Sequence, residues 1–557
     1  MSKCVIKAEQ QIKGLLLAAA EAAYGRDDLP DFKIETPQNR EHGDYAVNAA
    51  LIWAKELHSA PRAIAEKLLS GADFSGTYIG KCEIAGPGFI NFFLSDKFYA
   101  DVVSEVLNCG EDYGKSDFGG GKRVLVEFVS ANPTGPMHIG NARGGALGDC
   151  LAAVLSAAGY DTEREFYIND AGNQINKFAL SLDLRYLQLY REGIEMPEDS
   201  YHGEDIIAHA KAFSEKYGDS FVEKSEDERR RALTDFALPK NIEALKTDLK
   251  KYRIEYNTWF KESTLHESGA TDEVIAKLKE SGHTYLNEDA LWFRATDFGC
   301  DKDFVLVRAN GVPTYIVPDI AYHYNKLCIR KFDTAIDILG ADHHGYVPRL
   351  KAALTALGAP AERLNVVIMQ MVRLVRDGEV IKASKRSGKA ITLVTLLDEV
   401  PIDAARFFFN LREPNSHFDF DLDLAVSESN NNPVFYVQYA HARICSILRN
   451  AKSEGIDIDA LTPENLLKLT APEERELILY LSALTGETVN AAKTYDPARI
   501  THYVTELATR FHKFYAACRV MGEDRELTLA RLALTKATGT AIKNVLEMLK
   551  ITAPEKM

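Results

Sequence analysis

Residues 123–149 read RVLVEFVSANPTGPMHIGNARGGALGD, and the order of signals within them decides the fold class. Val124, Leu125 and Val126 form a short apolar, β-prone run, the mark of a buried strand. Asn132, Pro133, Thr134, Gly135 and Pro136 break it, as turn residues do. Beyond Gly140 the period becomes helical, with Ala142, Ala146, Leu147, Cys150, Leu151 and Val154 near one face. Strand, sharp turn and helix is the form of a nucleotide site in an open α/β sheet. The N–H groups and partial positive charge of a helix start suit a polyphosphate. His138 stands just before that start, placed to donate to a phosphate oxygen, and Gly140 lets backbone approach a ligand. A plain structural turn uses the same residues, because a lone His-x-Gly is common.

Downstream, Arg164 to Tyr167 reads as a second strand, followed by the polar run Ile168 to Gln174. Those groups either line a cleft or simply turn the chain. Residues 176–285 are mostly helical, with a charge run from Glu226 to Arg231 of the kind found on solvated faces. From Ala290 the text turns β-like: Leu291 to Phe293, Phe304 to Val307, then Thr314 to Asp319 with a helix expected from Ile320. Ala335 to Leu339 is a buried strand running into Gly340-Ala341-Asp342-His343-His344-Gly345, where a carboxylate can meet a ribose hydroxyl. Chain neighbours such as His343 and His344 seldom aim at one ion, so no metal site is expected. Val366 to Val372 is the next strand, and Asp377-Gly378 a hairpin turn. Val380 to Lys389 then carries four cations within eight residues, Lys382, Lys385, Arg386 and Lys389, on a Ser/Gly loop.

Upstream, residues 1–115 read as a separate α+β unit: a helix over Ile12 to Ala23, a turn from Glu41 leading into a helix that includes Tyr45, a helix opening at Pro61, and a turn plus strand over Ile84 to Leu94. From about Asn430 the chain is helical, with stripes at Val437, Ala440, Ile444, Ile447 and Leu448 and at Val504, Leu507, Phe511, Tyr515 and Cys518.

At 557 residues, more than one domain is expected. A hydrophobic content of 46% and a charged content of 26% describe an ordinary soluble chain. No apolar leader or membrane-length run is present, so a cytosolic location is expected. Eight scattered cysteines without a C-x-x-C pair support neither a zinc ribbon nor a disulfide framework. The net charge of −15 argues against indiscriminate nucleic-acid binding, although residues 501–557 carry nine Lys/Arg against six Asp/Glu.

Ser130-Ala131-Asn132-Pro133-Thr134-Gly135-Pro136 followed by His138-Ile139-Gly140-Asn141 resembles the HIGH signature of class I aminoacyl-tRNA synthetases, in its bacterial arginine-specific form. Asn141 stands where the family has its last His, and Asn can still donate to phosphate. Lys382-Ala383-Ser384-Lys385-Arg386 resembles the second signature, KMSKS, with Ala383 for Met and Arg386 for the final Ser. Many arginine enzymes lack the signature lysine and carry one three residues before the His; here that place is Gly135, which leaves the work to Lys385. The resemblance covers essentially the whole chain.

It implies a Rossmann-like α/β catalytic domain over residues 116–430 with the insertion at 176–285, an N-terminal domain over 1–115 that contacts the tRNA elbow, and an all-α anticodon-binding bundle over 431–557. It implies arginine activation with ATP and Mg2+ and transfer to tRNA(Arg), by a monomer without tightly bound cofactor or zinc. His138, Asn141 and Lys385, assisted by Lys382, form the implied phosphate set, with Gly140 beside them and Gly340 and Asp342 at the adenosine. The implied arginine residues are Glu127, Ser130, Asn132, Tyr315, Asp319 and His343. On residue chemistry alone, Asp319 serves equally as the N-cap of a helix starting at Ile320. Two other classes remain open at this point: another class I synthetase or small adenylyltransferase, and a non-catalytic tRNA-binding descendant.

Overall fold

The computed structural model describes residues 2–37, 39–70, 72–343, 345–381 and 391–557, with the side chain of Asp342 also outside the description. Lys382, Lys385 and Arg386 therefore lie outside the described residues.

Helix α1 (Lys3–Tyr24) opens the chain. The short strands β1 (Ile34–Glu35) and β2 (Tyr45–Val47) precede helices α2 (Ala49–Trp53) and α3 (Pro61–Ser70). Strands β3 (Ile79–Ala85) and β4 (Phe89–Leu94) complete a four-stranded antiparallel sheet of order β1-β2-β4-β3, followed by α4 (Asp96–Cys109). Tyr45 thus lies in a strand, not in the expected helix: Tyr45 and Val47 pair with Phe92 and Ile90, and that pairing overrides a weak local signal.

The central sheet holds β5 (Arg123–Glu127), β6 (Asp161–Ile168), β7 (Thr258–Lys261), β11 (Thr334–Gly340) and β12 (Leu364–Met369). All are parallel, in the order β12-β11-β5-β6-β7. The chain leaves β5 toward β6 and returns on the other side of β5 as β11, which makes the β5/β11 boundary the topological switch point. Helix α5 (Ile139–Ala157) connects β5 to β6. Helices α6 (Gly172–Leu187), α7 (Glu204–Tyr217) and α8 (Glu226–Lys251) pack on one another beyond β6. β7 lies inside the span read as mostly helical insertion, yet it is an edge strand of the central sheet. Within the Glu226 to Arg231 run, Arg229 is buried on Asp183, so that run is only partly a solvated face.

After α9 (Ser263–Glu267) and α10 (Ala270–Glu280), strands β8 (Thr284–Asn287), β9 (Ala290–Phe293) and β10 (Phe304–Val307) make a small antiparallel sheet. Helix α11 begins at Ile316 and runs to Tyr324, four residues earlier than expected. A π-helical turn, Asn325–Ile329, continues it, and α12 (Val347–Ala356) follows β11. The expected strand from Val366 to Val372 is two: β12 ends at Met369, and β13 (Val372–Arg376) leaves to pair with β14 (Glu379–Val380) and β15 (Phe418–Asp421). Helices α13 (Leu393–Glu399) and α14 (Ile402–Phe409) follow and pack on α5, and α15 (Leu422–Val426) packs on β13. The rest is helical: α16 (Pro433–Ser453), α17 (Pro463–Leu466), α18 (Pro472–Ser482), α19 (Leu484–Thr494), α20 (Ala498–Ala517) and α21 (Arg525–Met548). In the α20 stripe Tyr515 is exposed, unlike its neighbours Phe511 and Phe514.

One buried core runs from α1 through α5 into α21. Asn544 on α21 donates to the carbonyls of Gly110 and Tyr113, and the Tyr113 hydroxyl donates to Leu481 O. All eight cysteines are free, and no helix among the described residues is long and apolar enough to cross a membrane.

Candidate active site

A cavity of about 600 Å³ opens at the carboxyl ends of β5 and β11, where the sheet reverses its order. That is the size range of small-molecule sites. Its lining includes Glu127 at the end of β5 with Ser130 and Asn132 beyond it, Gly140 and Asn141 on α5, Asp319 on α11, and Gly340 at the end of β11 with His343 beyond it. Eight of the residues named from the sequence thus meet in one place. His138 is exposed immediately before Gly140 rather than among the lining residues. Tyr315 is 60% exposed and outside the lining, so the structure does not bring it into the cavity.

The turn after β5 is strained. Val129 and Ser130 have φ of 71° and 42°, a region unfavourable for side chains and most of all for a β-branched one. The Ser130 N–H donates to Phe128 O at 3.0 Å, closing a three-residue turn around Val129. This bend swings Ser130 back onto the strand end: its Oγ donates to Glu127 Oε1 at 2.9 Å and accepts from the Tyr167 N–H at 3.1 Å. Asn132 accepts from Asn169 Nδ2 at 2.9 Å, so the polar run after β6 contributes one lining residue. Asp170 of that run is instead occupied by the Ser263 N–H and hydroxyl.

His138 caps α5. Its Nδ1 accepts the Gly140 N–H at 3.2 Å, and its own N–H donates to Asn141 Oδ1 at 3.0 Å. Three N–H groups of the helix start are therefore already engaged: Gly140 on His138 Nδ1, Asn141 on His138 O and Ile139 on Ile391 O. With Nδ1 an acceptor, the ring proton sits on Nε2, which makes that exposed nitrogen a donor. Asn141 is left with its amide Nδ2 to offer a ligand. Leu393 N–H donates to Met137 O at 2.9 Å and Ile139 N–H to Ile391 O at 3.0 Å. The segment that follows the basic loop is thus pinned to the chain beside His138. Buried Arg143 donates to the carbonyls of Gln370, Ser416 and Glu413, fastening α5 where β12 ends and β13 begins. Burial lowers its pKa to about 10.

On α11, Asp319 occupies the first turn, with Tyr315 at the cap position, so Asp319 is not an N-cap. Its carboxylate accepts the Tyr346 hydroxyl, and burial raises its pKa against that hydrogen bond. Glu262, just after β7, is also buried; burial lifts its pKa, and the charge of Asp319 adds to the rise. The two carboxylates sense each other, although Glu262 stands outside the cavity lining and has His266 3.6 Å away.

A buried ionic group joins α11 to the sheet. Lys326 Nζ donates to Glu127 Oε2 at 2.5 Å and to Asp337 Oδ1 at 2.8 Å, and His323 Nε2 lies 2.6 Å from Asp337 Oδ2. Burial alone would raise the pKa of Asp337, but Lys326 and His323 outweigh it and hold the carboxyl well below its usual range. Glu127, His323 and Asp337 have ligand atoms close enough for a metal ion, but a lysine ammonium already bridges its two carboxylates. Lys326, His323, Asp337 and Glu262 are absent from the sequence-derived set. One signal existed: Asp319, His323, Lys326 and Arg330 recur at intervals of four, three and four, a polar stripe on a helix otherwise too apolar to need one.

Three family models match successive parts of the chain: an arginyl tRNA synthetase N-terminal domain over residues 10–94, the catalytic domain of class I (R) tRNA synthetases over 102–430, and a DALR anticodon-binding domain over 437–557. The chain is 52% identical to an arginine–tRNA ligase of Caldanaerobacter subterraneus and 50% identical to one of Acetivibrio thermocellus, each covering all of both chains. In fold it is similar to the arginyl-tRNA synthetase of Thermus thermophilus, with a TM-score of 0.74 and 24% identity over 98% of this chain and all of that one. With a switch-point cavity and these full-length likenesses in hand, the chain belongs to the class I arginyl-tRNA synthetases.

Proposed function

We propose that this chain is an arginine–tRNA ligase that forms arginyl-adenylate from arginine and ATP and passes the arginyl group to the 3′ end of tRNA(Arg). The observation that carries the reading is the joining, in one switch-point cavity, of the start of α5, where Asn141 offers an amide donor, with the partly buried carboxylate of Asp319. In the first step a carboxylate oxygen of arginine bonds to the α-phosphorus, the bond to the β-phosphate bridge breaks, and pyrophosphate leaves. In the second, a ribose hydroxyl of the terminal tRNA nucleotide attacks the arginyl carbonyl and AMP departs.

His138 through Nε2 and Asn141 through Nδ2 bind phosphate oxygens, where fixed donors lower the barrier most. Lys385, with Lys382, supplies cationic charge there; the pinning of Ile391 and Leu393 beside His138 supports that placement. Mg2+ arrives with ATP as part of the substrate. Gly340 and Asp342 take the adenosine, with Met369 and Val347 as apolar neighbours. Asp319, backed by Glu262, takes the guanidinium, whose planar fork matches a carboxylate. Ser130, Asn132 and His343 hold the amino-acid head, and Glu127 orients Ser130. Tyr315 would have to swing inward to take part.

Residues 1–115 contact the tRNA elbow, 116–430 perform the chemistry, and 431–557 read the anticodon, in a cytosolic monomer. The last assignment is supported by a ring cluster: Arg443 stands over Tyr439 and Tyr515 at 4.7 and 5.4 Å, and Tyr436 lies 4.9 Å from His512. Aromatic and guanidinium faces of this kind stack bases. ATP–pyrophosphate exchange with each amino acid, with and without tRNA(Arg), tests the function. Exchange should depend on arginine alone; dependence on another amino acid, or none under any condition, overturns the reading.

A further inference from the structure

We propose that Lys326 is a positioning residue for the amino-acid substrate: its buried ammonium neutralises Glu127 from beneath the cavity, leaving the charge that receives the guanidinium at Asp319. The inference rests on the arginine reading above.

Lys326 is completely buried. It sits in the π-helical turn after α11, a turn closed by Arg330 N–H donating to Asn325 O at 2.8 Å. Such turns are frequent at functional sites because they redirect a side chain without ending the helix. Here Lys326 Nζ reaches two carboxylates on neighbouring strands, Glu127 on β5 and Asp337 on β11, and stands 4.1 Å from the centre of the Tyr322 ring. The other oxygen of Glu127 accepts from Ser130. Both oxygens of this cavity carboxylate are thus engaged before a substrate arrives.

Asp319 differs. Tyr346 gives it a neutral donor, and no cation among the described residues stands in ion-pair contact with its carboxylate. Among the described residues, an entering guanidinium therefore meets a carboxylate with a cation in contact at Glu127 and one without at Asp319, which His323 and Lys326 reach only at longer range. Without Lys326 the cavity would hold two competing anions, and arginine could seat in either orientation. The ammonium also fixes α11 itself. Asp337 accepts from Lys326 and faces His323 Nε2, while His323 Nδ1 lies 2.7 Å from the carbonyl of Asp319. Glu127, Asp337 and the turn carrying Asp319 are held in one connected group whose central cation is Lys326.

A purely structural alternative has Lys326 present only to neutralise Asp337. Two variants separate the cases: Lys326→Met, and Lys326→Met with Asp337→Asn, which removes one charge of each sign. Arginine and ATP Michaelis constants come from exchange assays with tRNA present, and folding from thermal unfolding. In both variants the arginine constant should rise about tenfold or more, while the ATP constant stays within about twofold. The double variant should regain most of the unfolding temperature lost by the single one. An unchanged arginine constant in either variant overturns the proposal, as does recovery of that constant in the double variant. Should the single variant fail to fold, the double variant decides. Failure of the wild-type chain to show arginine-dependent exchange would instead strike the functional reading.

Discussion

At Asp319 the structure separates two roles that residue chemistry leaves equal. Helix α11 starts at Ile316, so the carboxylate does not cap it, and its charge faces the cavity. Asp319→Asn should keep an oxygen for the Tyr346 hydroxyl yet lose roughly 2–5 kcal/mol of arginine binding. Steady-state kinetics should show this as a raised arginine Michaelis constant with little change for ATP. The raised pKa gives a second outcome. Between the unfolded value near ~3.9 and its raised folded value, the native state holds the Asp319 proton longer than the unfolded chain does. Its contribution to stability therefore falls as pH rises through that window and stays unfavourable above it. The free Asp319→Asn protein should accordingly be at least as stable as wild type at pH 7, by denaturant titration, while using arginine poorly. Lys385→Ala should cost roughly 2–4 kcal/mol of transition-state stabilisation in adenylate formation. Pyrophosphate exchange at saturating arginine checks this; near-normal turnover would move the role to Lys382 or Arg386.

The β5–turn–α5 unit was readable as an element because its signals are local: an apolar run, a cluster of turn formers, then a 3.6-residue period. Its contact geometry was not. Gly148 on α5 lies against Phe128, and a β-carbon added there would be 2.2 Å from the ring Cγ. Gly148→Ala should cost about 1–3 kcal/mol through overpacking, with loss of nucleotide binding as β5 shifts. Gly144→Ala, whose new carbon would sit 3.5 Å from Met369 Cε, is the matched control with a small effect. The urea midpoints of the two variants give the comparison. Elements were misplaced where partners are distant. β2 is a strand because β4 lies beside it. The split between β12 and β13 follows from Gln370, whose N–H donates to Pro414 O and whose carbonyl accepts from Arg143.

Across the whole molecule, the helical C-terminal part is not a detachable module. Buried Arg406 donates to Asp149 at 2.6 Å and to the carbonyl of Leu549 at the end of α21. Arg164 and Lys550 also pair with Asp149. Burial would raise the Asp149 pKa, but these three cations outweigh it and lower it. A depressed carboxylate contributes stability above its unfolded value, near ~3.9, and that contribution is lost as pH falls through its folded one. Asp149→Asn should therefore destabilise by about 3–5 kcal/mol at pH 7, and the difference from wild type should shrink in acid unfolding scans. Deletion from residue 430 onward, which a separate helical pattern suggests is harmless to the catalytic core, would uncover α5 and unbalance this cluster. The tRNA role is better tested by Arg443→Ala. Affinity for tRNA should fall and its salt dependence lessen, as removal of a cation from a nucleic-acid interface requires.

Local pattern determined the strand–turn–helix, the parallel α/β class, the helical C-terminal part and the two signature segments. Each is written in neighbouring residues, where periodicity and turn chemistry act. Tertiary structure decided which carboxylate remains available to a cation. Glu127 and Lys326 are 199 residues apart, and Asp337 belongs to a third element. An ionised group survives burial only where folding brings it a partner, and nothing near Glu127 in the chain announces that partner. The same reason separates the cavity list from the sequence list. Eight of the expected residues line the cavity because they cluster at two strand ends and two helix starts, whereas His323 and Asp337 join the lining, with Lys326 beneath it, only when β5 and β11 lie side by side in one sheet.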